Sequence, residues 1–519
     1  MNGSFERKGV LMPTKQSHMI KFPYICLVAA SLLLLTTVGC GPTTPSSTPT
    51  PSKWFVSPDG NDSNGCISPL TPCKTITEAL SRAVNGDTIY LAEGTYPEAL
   101  MVSKSVTITG ELAISSPVID GTGKNQTVVN ISCFACTAEV TLNRVTIENG
   151  NGSSGGGLAI ASANVTLRSV LVRSNKASHA GGGISIQDGA SLTIDTSSIE
   201  DNEVTGTTIY SGGAGIYNLG ILSMINVSMS DNHAYDLGGG LYNQGTATLT
   251  TVTFTANETS GKIGGGAIYN AGKLTLQSCT FNGNIVENNI ADGGAILNAG
   301  TAKLEGVDAH QNSAGGDGGA IGNLKTGNLT LRDSTLSGNA AKMGGGFANN
   351  GGQAMLDSVT IDHNTSQYSG GGVINSNAAT MHMVNVTVSS NSAMDVGGGI
   401  ANGGADANLY AVNVTIAFNT ASNNYLHASS SGGGIYHLGG LVNFINVLLA
   451  HNGSTNCGGS AMGAGSGMNL SSDSSCEFDG YGNLADTNPL IAPMADNGGS
   501  TLTHALVTNS PAIDAGTEW

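Results

Sequence analysis

The chain has 519 residues, 75 of them glycine, and only 11% are charged, less than half the ordinary share. Lys and Arg number 19 against 36 Asp and Glu, a net charge of -17, which argues against nucleic acid or an anionic membrane surface as the main partner. Glycine follows no every-third-residue period and only one long apolar run occurs, so collagen and polytopic membrane proteins are excluded, while 39% hydrophobic residues are too many for a disordered chain.

The first segment reads as an address. Lys8, Lys15 and Lys21 precede an apolar run from Phe22 to Val38, the order of a secretory signal over 1–39. Met12 and Met19 stay open as starts. Thr37-Val38-Gly39-Cys40 resembles the bacterial lipoprotein signal, which implies acylation of Cys40. A plain signal peptide and an uncleaved anchor are the alternatives. Residues 40–53 form a Pro/Thr/Ser tether, stiff enough to hold a domain away from a membrane, and that favours lipidation. The membrane is then touched through the lipid anchor only.

Cysteine usage fits an oxidising compartment. Cys66 and Cys73, Cys133 and Cys136, and Cys457 and Cys476 are candidates for local disulfides. Cys133 and Cys136 have redox-motif spacing, but no βα unit follows them, so a structural bridge is expected. Without a second Cys-x-x-Cys, zinc is not.

Residues 54–100 are assigned to an N-terminal cap with the first coil. Trp54-Phe55-Val56 and Asp87 to Leu91 read as strands. Between them Thr75 to Val84 reads as an amphipathic helix with a Thr/Glu capping pattern, placed as a lid on that coil.

From 101 to 455 the chain repeats a two-part unit. A glycine block with apolar residues after it, as in Gly238-Gly239-Gly240-Leu241 and Gly397-Gly398-Gly399-Ile400, alternates with a short strand ending in Asn. That Asn recurs from Asn175 through Asn312 to Asn452 at intervals of 25 to 33 residues, a solenoid period. Residues five and three before it are mostly apolar, for example Val227 and Met229, or Val414 and Ile416. Such alternation puts one strand face inward. Leucine-rich and helical templates are absent. Proline, which would remove a ladder donor, is confined to positions up to Pro117 and from Pro489 onward.

These features predict an all-β fold: a right-handed single-stranded parallel β-helix of about twelve coils with a small N-terminal α/β cap. Asn is expected to take left-handed corners and to stack as a ladder. Cys279, standing in a column of valines, is read as an inward hydrophobe.

Three resemblances accompany this reading. Trp54 to Tyr96, with its SPDGNDSNGC and NGDTIYLAEGTY segments, resembles the start of extracellular pectate-lyase-like β-helix proteins. The glycine blocks with Phe254-Thr-Ala-Asn257 and Phe281-Asn-Gly-Asn284 look like the repeats of chlamydial polymorphic outer-membrane proteins. Within 456–519, read as a C-terminal cap with a surface-anchor-like tail, Asp496 to Leu506 and Ser510 to Gly516 resemble the ending of choice-of-anchor Q surface proteins. That family usually continues further, so the final strands are expected to be missing. The resemblances imply fold and surface location, with little on activity.

Sites are harder to read. Val359-Thr360-Ile361-Asp362-His363 resembles a pectate-lyase sequence, which makes Asp362 and His363 the catalytic candidates. The basic partner such a lyase needs is missing, since no Lys or Arg follows Lys342, and the hydrolase segments of this fold are absent. The other carboxylates look scattered singly, with no pair to pick out. Asp59, Asn61 and Asp62 offer oxygen ligands for Ca²⁺ without the EF-hand Gly and Glu. A plain turn is the simpler reading there. No other cofactor is expected.

The functional expectation is a cell-surface lipoprotein whose β-helix rod serves adhesion or polysaccharide binding without catalysis, its partner a polysaccharide or a host or neighbour cell surface. An exported polysaccharide lyase or hydrolase is the alternative, and a structural envelope protein the third option. Without acylation of Cys40 the protein would be secreted.

Overall fold

The computed structural model of the protein describes residues 52–519, apart from 112–114, 134–135, 209–210, 405, 427, 454, 463–466, 481 and 518–519. The signal segment 1–39, Cys40 and the tether through residue 51 lie outside the described residues. Everything below belongs to one compact unit, Pro51–Trp519.

Short strands wind into sheets of 28, 14 and 11 strands. Neighbouring coils pair in parallel and in register, so that Tyr217, Tyr242 and Tyr269 stack, as do Asn218, Asn243 and Asn270. The chain is therefore an all-β parallel β-helix. The expected count of about twelve coils sits between the 14 strands of the second sheet and the 11 of the third.

Alternation sets the core. In Ile221–Ile225 and Ser228–Ser230 the buried residues are Leu222, Met224 and Met229, while their neighbours look out. The long sheet receives two strands from each coil, joined by one residue in the left-handed region: Asn226 (φ 53°), Thr251 (54°) or Asn413 (55°). The core is continuous along the rod, and inside it Phe254 and Phe281 stack with ring centroids 4.8 Å apart. Cys279 is fully buried beside them, and burial pushes its thiol pKa up.

The asparagine ladder is present, with a correction to its cause. Each Nδ2 donates to the Oδ1 of the Asn in the next coil, at 3.1 Å from Asn175 to Asn202 and 2.9 Å from Asn312 to Asn339. The ladder residues themselves do not carry the left-handed backbone. That falls one residue earlier, at Ser174 (φ 53°), Gln311 (57°) and His363 (54°). The Asn side chain turns inward and satisfies backbone groups that the corner leaves unpaired. A second ladder runs from Asn218 through Asn298 to Asn402, with Nδ2 to Oδ1 distances of 2.7 to 3.0 Å. It follows the glycine block, as in Ile268-Tyr269-Asn270.

Glycine is required where coils touch. A Cβ on Gly294 would collide with the Gly319 carbonyl of the next coil, and Gly293 and Gly318 sit at φ 71° and 74°, where side chains are disfavoured.

At the N-terminal end Lys53–Val56 pairs with Thr88–Leu91, which pairs with Thr107–Gly110. The helix Ile76–Arg82 buries Ile76, Ala79 and Leu80, and Thr75 accepts a hydrogen bond from the Glu78 N–H as its N-cap. At the other end the hairpin of Ile491–Ala495 and Thr503–Leu506 is antiparallel. It folds back over the outward face of the long sheet, where Thr360 Oγ1 donates to the Leu502 carbonyl at 2.6 Å.

Candidate functional site

The third sheet leads into the glycine block through a corner, and stacking places like positions of successive coils side by side. Two coils carry the same five residues there: Asp292-Gly-Gly-Ala-Ile296 and Asp317-Gly-Gly-Ala-Ile321. The Asp317 N–H donates to Asp292 Oδ1 at 2.8 Å, and Asp317 in turn accepts from the Met343 N–H. Both carboxyls are half-buried. Gly316 leaves the room Asp292 needs, because a Cβ there would strike its Oδ1.

Burial pushes the Asp317 pKa up to about 7, and the nearby Asp292 charge adds to the rise, against the pull of Lys342 and the Met343 N–H. Asp292 is also raised by burial, opposed by its hydrogen bond from Asp317 and by Lys342. Two neighbouring carboxyls whose environments both disfavour the charged form can perform acid–base chemistry. The expectation of singly scattered carboxylates is thus corrected by coil stacking. The signal that could have found the pair was the repeated Asp-Gly-Gly-Ala-Ile, one period apart.

Aromatic rings continue this edge. Lys342 Nζ lies 5.8 Å from the Tyr368 ring centroid, and the Tyr368 and Tyr425 rings are 5.3 Å apart. Tyr368 is 38% exposed and Tyr425 58%. Tyr425 comes from the insertion after Asn419 and is anchored where its own N–H and that of Leu426 donate to Asp395 Oδ1 at 3.1 and 2.9 Å. Carboxyls, a lysine and flat rings therefore line one side of the rod.

The candidates Asp362 and His363 lie elsewhere, on the long sheet. His363 Nδ1 is 2.6 Å from Asp362 Oδ2, which also accepts from Ser337 Oγ at 3.1 Å. His363 is one of the left-handed corner residues. Asp362 is 5% exposed and its Oδ1 has no hydrogen-bond partner. Among the described residues, no Lys or Arg forms an ion pair with it.

Asp59, Asn61 and Asp62 form a turn that braces the helix. Asp62 Oδ1 accepts from the Lys74 and Thr75 N–H groups at 2.8 and 2.9 Å, and Asn61 Oδ1 from the Ser63 N–H. The Asn61 and Asp62 oxygens are thus engaged by the chain itself. Among the described residues, no group of three or more His, Cys, Asp or Glu could hold a metal ion. Cys66 is bonded to Cys73, Cys133 to Cys136 and Cys457 to Cys476. Cys40 lies outside the described residues.

Fold and edge define a parallel β-helix protein with a paired-carboxyl, tyrosine-flanked strip. No protein-family model matches the chain, and no curated protein matches it. Solved structures similar to it include the pectate lyase Pel9A, at 15% identity over 91% of this chain and 92% of that one, TM-score 0.35. A mannuronic acid specific polysaccharide family 6 lyase from human gut microbiota is 11% identical over 75% of this chain and 91% of that one, TM-score 0.35. The GH136 lacto-N-biosidase from Eubacterium ramulus is 13% identical over 69% and 65%, TM-score 0.28. The fold assignment rests on the chain's own strand register.

Proposed function

We propose that this protein acts on extracellular polysaccharide as a glycoside hydrolase built on the β-helix, with Asp317 as the acid and Asp292 as its partner carboxyl. The observation that carries this reading is the Asp317 carboxyl, raised to about 7 beside a second carboxyl one coil away. Near neutral pH Asp317 still holds a proton to give to the glycosidic oxygen as the C–O bond breaks. Asp292 takes the proton of the water that adds to the anomeric carbon. The Tyr368 and Tyr425 rings offer apolar faces on which sugar rings can stack.

A second reading keeps the rod non-catalytic, serving adhesion or polysaccharide binding. It is favoured by the work the aspartates already do: Asp236 accepts from the Lys262 N–H and Asp395 from Tyr425 and Leu426, so carboxyls along this edge fasten corners. An envelope protein with no ligand is the third reading. In each, the address proposed is the cell surface, lipid-anchored through Cys40. The basic-apolar-Cys order, the Pro/Thr/Ser tether and the choice-of-anchor Q and polymorphic outer-membrane resemblances support it.

The test is incubation with a polysaccharide panel, with and without Ca²⁺, and mass spectrometry of the products. Water-added oligosaccharides from the native protein, reduced about 100-fold or more in Asp317→Asn, support the hydrolase. Unsaturated ends would point to a lyase and away from this pair. No products with one polysaccharide retained would leave the adhesive rod, and neither products nor retention the structural reading.

A further inference from the structure

The C-terminal hairpin covers a surface that the repeat alone would leave open. In the coils of Thr253 and Thr255 or Asp308 and His310, the outward residues flanking the inward one are exposed or half-buried. In the coils under the hairpin the same positions are Thr360 at 0%, Asp362 at 5%, Thr387 at 5% and Ser389 at 0% exposure. The cover itself is thin. None of residues 491–506 is buried, so little apolar area holds it down.

Polar side chains fasten it. Thr360 Oγ1 donates to the Leu502 carbonyl at 2.6 Å, Ser500 Oγ to Asp333 Oδ1 at 2.5 Å, and His504 Nε2 lies 2.9 Å from Ser389 Oγ. His504 Nδ1 is 2.7 Å from the Ala492 carbonyl. A carbonyl only accepts, so Nδ1 carries the ring proton. Nε2 of the neutral ring is then the acceptor, and the Ser389 hydroxyl donates to it. The ring also packs against Phe418, with centroids 5.3 Å apart.

We propose that the hairpin Ile491–Leu506 is an acid-released strap, docked on the long sheet at neutral pH and let go when His504 takes up its second ring proton. The Ser389 hydroxyl can rotate to accept from a protonated Nε2, so the bond itself is not what fails. The cost is a charge on a half-buried ring between sheet and strap. Burial lowers the His504 pKa below its ordinary 6.5, outweighing the opposing pull of its hydrogen bond to the Ala492 carbonyl, so the released strap binds protons more readily than the docked one. Docking is therefore fully stable above about 6.5 and weakens as pH falls below it. Among the described residues, the charged and titratable groups around this seat are Asp362 and His363 beside Ser389, His451 stacked on Phe418, Asp333 bonded to Ser500, and Asp496 in the strap's own turn. None is paired with His504. This inference stands apart from the reading of Asp317, which lies on a different edge.

Amide hydrogen exchange of the whole protein at pH 7.5 and 5.0, corrected for intrinsic exchange, tests it. The expected result is a several-fold loss of protection in 491–506 at pH 5.0, with the coil amides unchanged. His504→Gln should remove that pH response. Should His504→Gln release the strap at both pH values, the variants Asp362→Asn, His363→Gln, His451→Gln and Asp333→Asn decide. A response surviving in all four supports His504. Equal protection at both pH values in the native protein, a response persisting in a docked His504→Gln, or its loss in any of the four overturns the proposal.

Discussion

Asp317 shows how a repeat changes a single side chain. An isolated Asp in a surface turn would ionise near 3.8; here stacking covers it and sets Asp292 beside it, and its pKa reaches about 7. The folded protein therefore holds this proton in a range where the unfolded chain has lost it. The sign follows from linkage: the contribution is fully present below about 3.8 and is lost as pH rises through about 7. Asp317→Asn, which cannot ionise, should flatten that part of the profile. Urea unfolding of native and variant protein at pH 5 and pH 8 checks this. The variant is expected to gain relative to the native protein at pH 8, and an unchanged difference between the two pH values would count against a buried carboxyl.

At the scale of the element, much was legible because a solenoid writes its structure periodically. The Val227/Met229 alternation, the Asn at each strand end and the missing prolines all report the same constraint: every coil must pair with the next on both sides. What was not legible came from the third dimension. The second ladder was hidden because its Asn follows varied residues, Tyr242, Gly322 or Ala401, after the glycine block. The left-handed corner was misplaced by one residue because Asn suits that conformation but does buried work here. The Asp292–Asp317 pair needed the coils to be stacked before two distant carboxyls became neighbours. Asp362 and His363 were marked by a sequence likeness that the repeat columns largely produce.

The ladder makes a quantitative expectation possible. Asn312 Oδ1 accepts from both the backbone N–H and Nδ2 of Asn284, and its Nδ2 donates to Phe281, His310 and Asn339. Asn312→Ala leaves the Asn284 donors without this acceptor, and each buried orphan costs roughly 1–3 kcal/mol. A loss of about 2–4 kcal/mol in denaturant unfolding is expected, against less than about 0.5 for an exposed change such as Thr253→Ser. Asn312→Asp keeps the shape but brings a buried charge facing Asn339 Oδ1, and should cost more than alanine. Equal effects at the buried and exposed positions would mean that the ladder is ornamental.

Across the whole molecule, covalent staples and repeats divide the task of stability. Cys66–Cys73 lies at the first coils and Cys457–Cys476 at the last, with sequence separations of 7 and 19 residues. Closing loops of that size stabilises by about 2–3 kcal/mol in the chain-entropy view. The coils between Gly181 and Ile445 carry one cysteine, Cys279, which is buried and free. An internal coil is held by two neighbours, whereas an end coil has one and opens first. These two disulfides thus sit where the stacking is weakest, while Cys133–Cys136 follows the internal strand Val129–Ser132. Reduction should release protection from hydrogen exchange in residues 53–110 and 447–478 while leaving 240–400 as slow as before. Cys457→Ser with Cys476→Ser should reproduce the change at the C-terminal end alone. If protection instead fell evenly along the rod, the coils would be melting as one cooperative body and the staples would serve the whole stack.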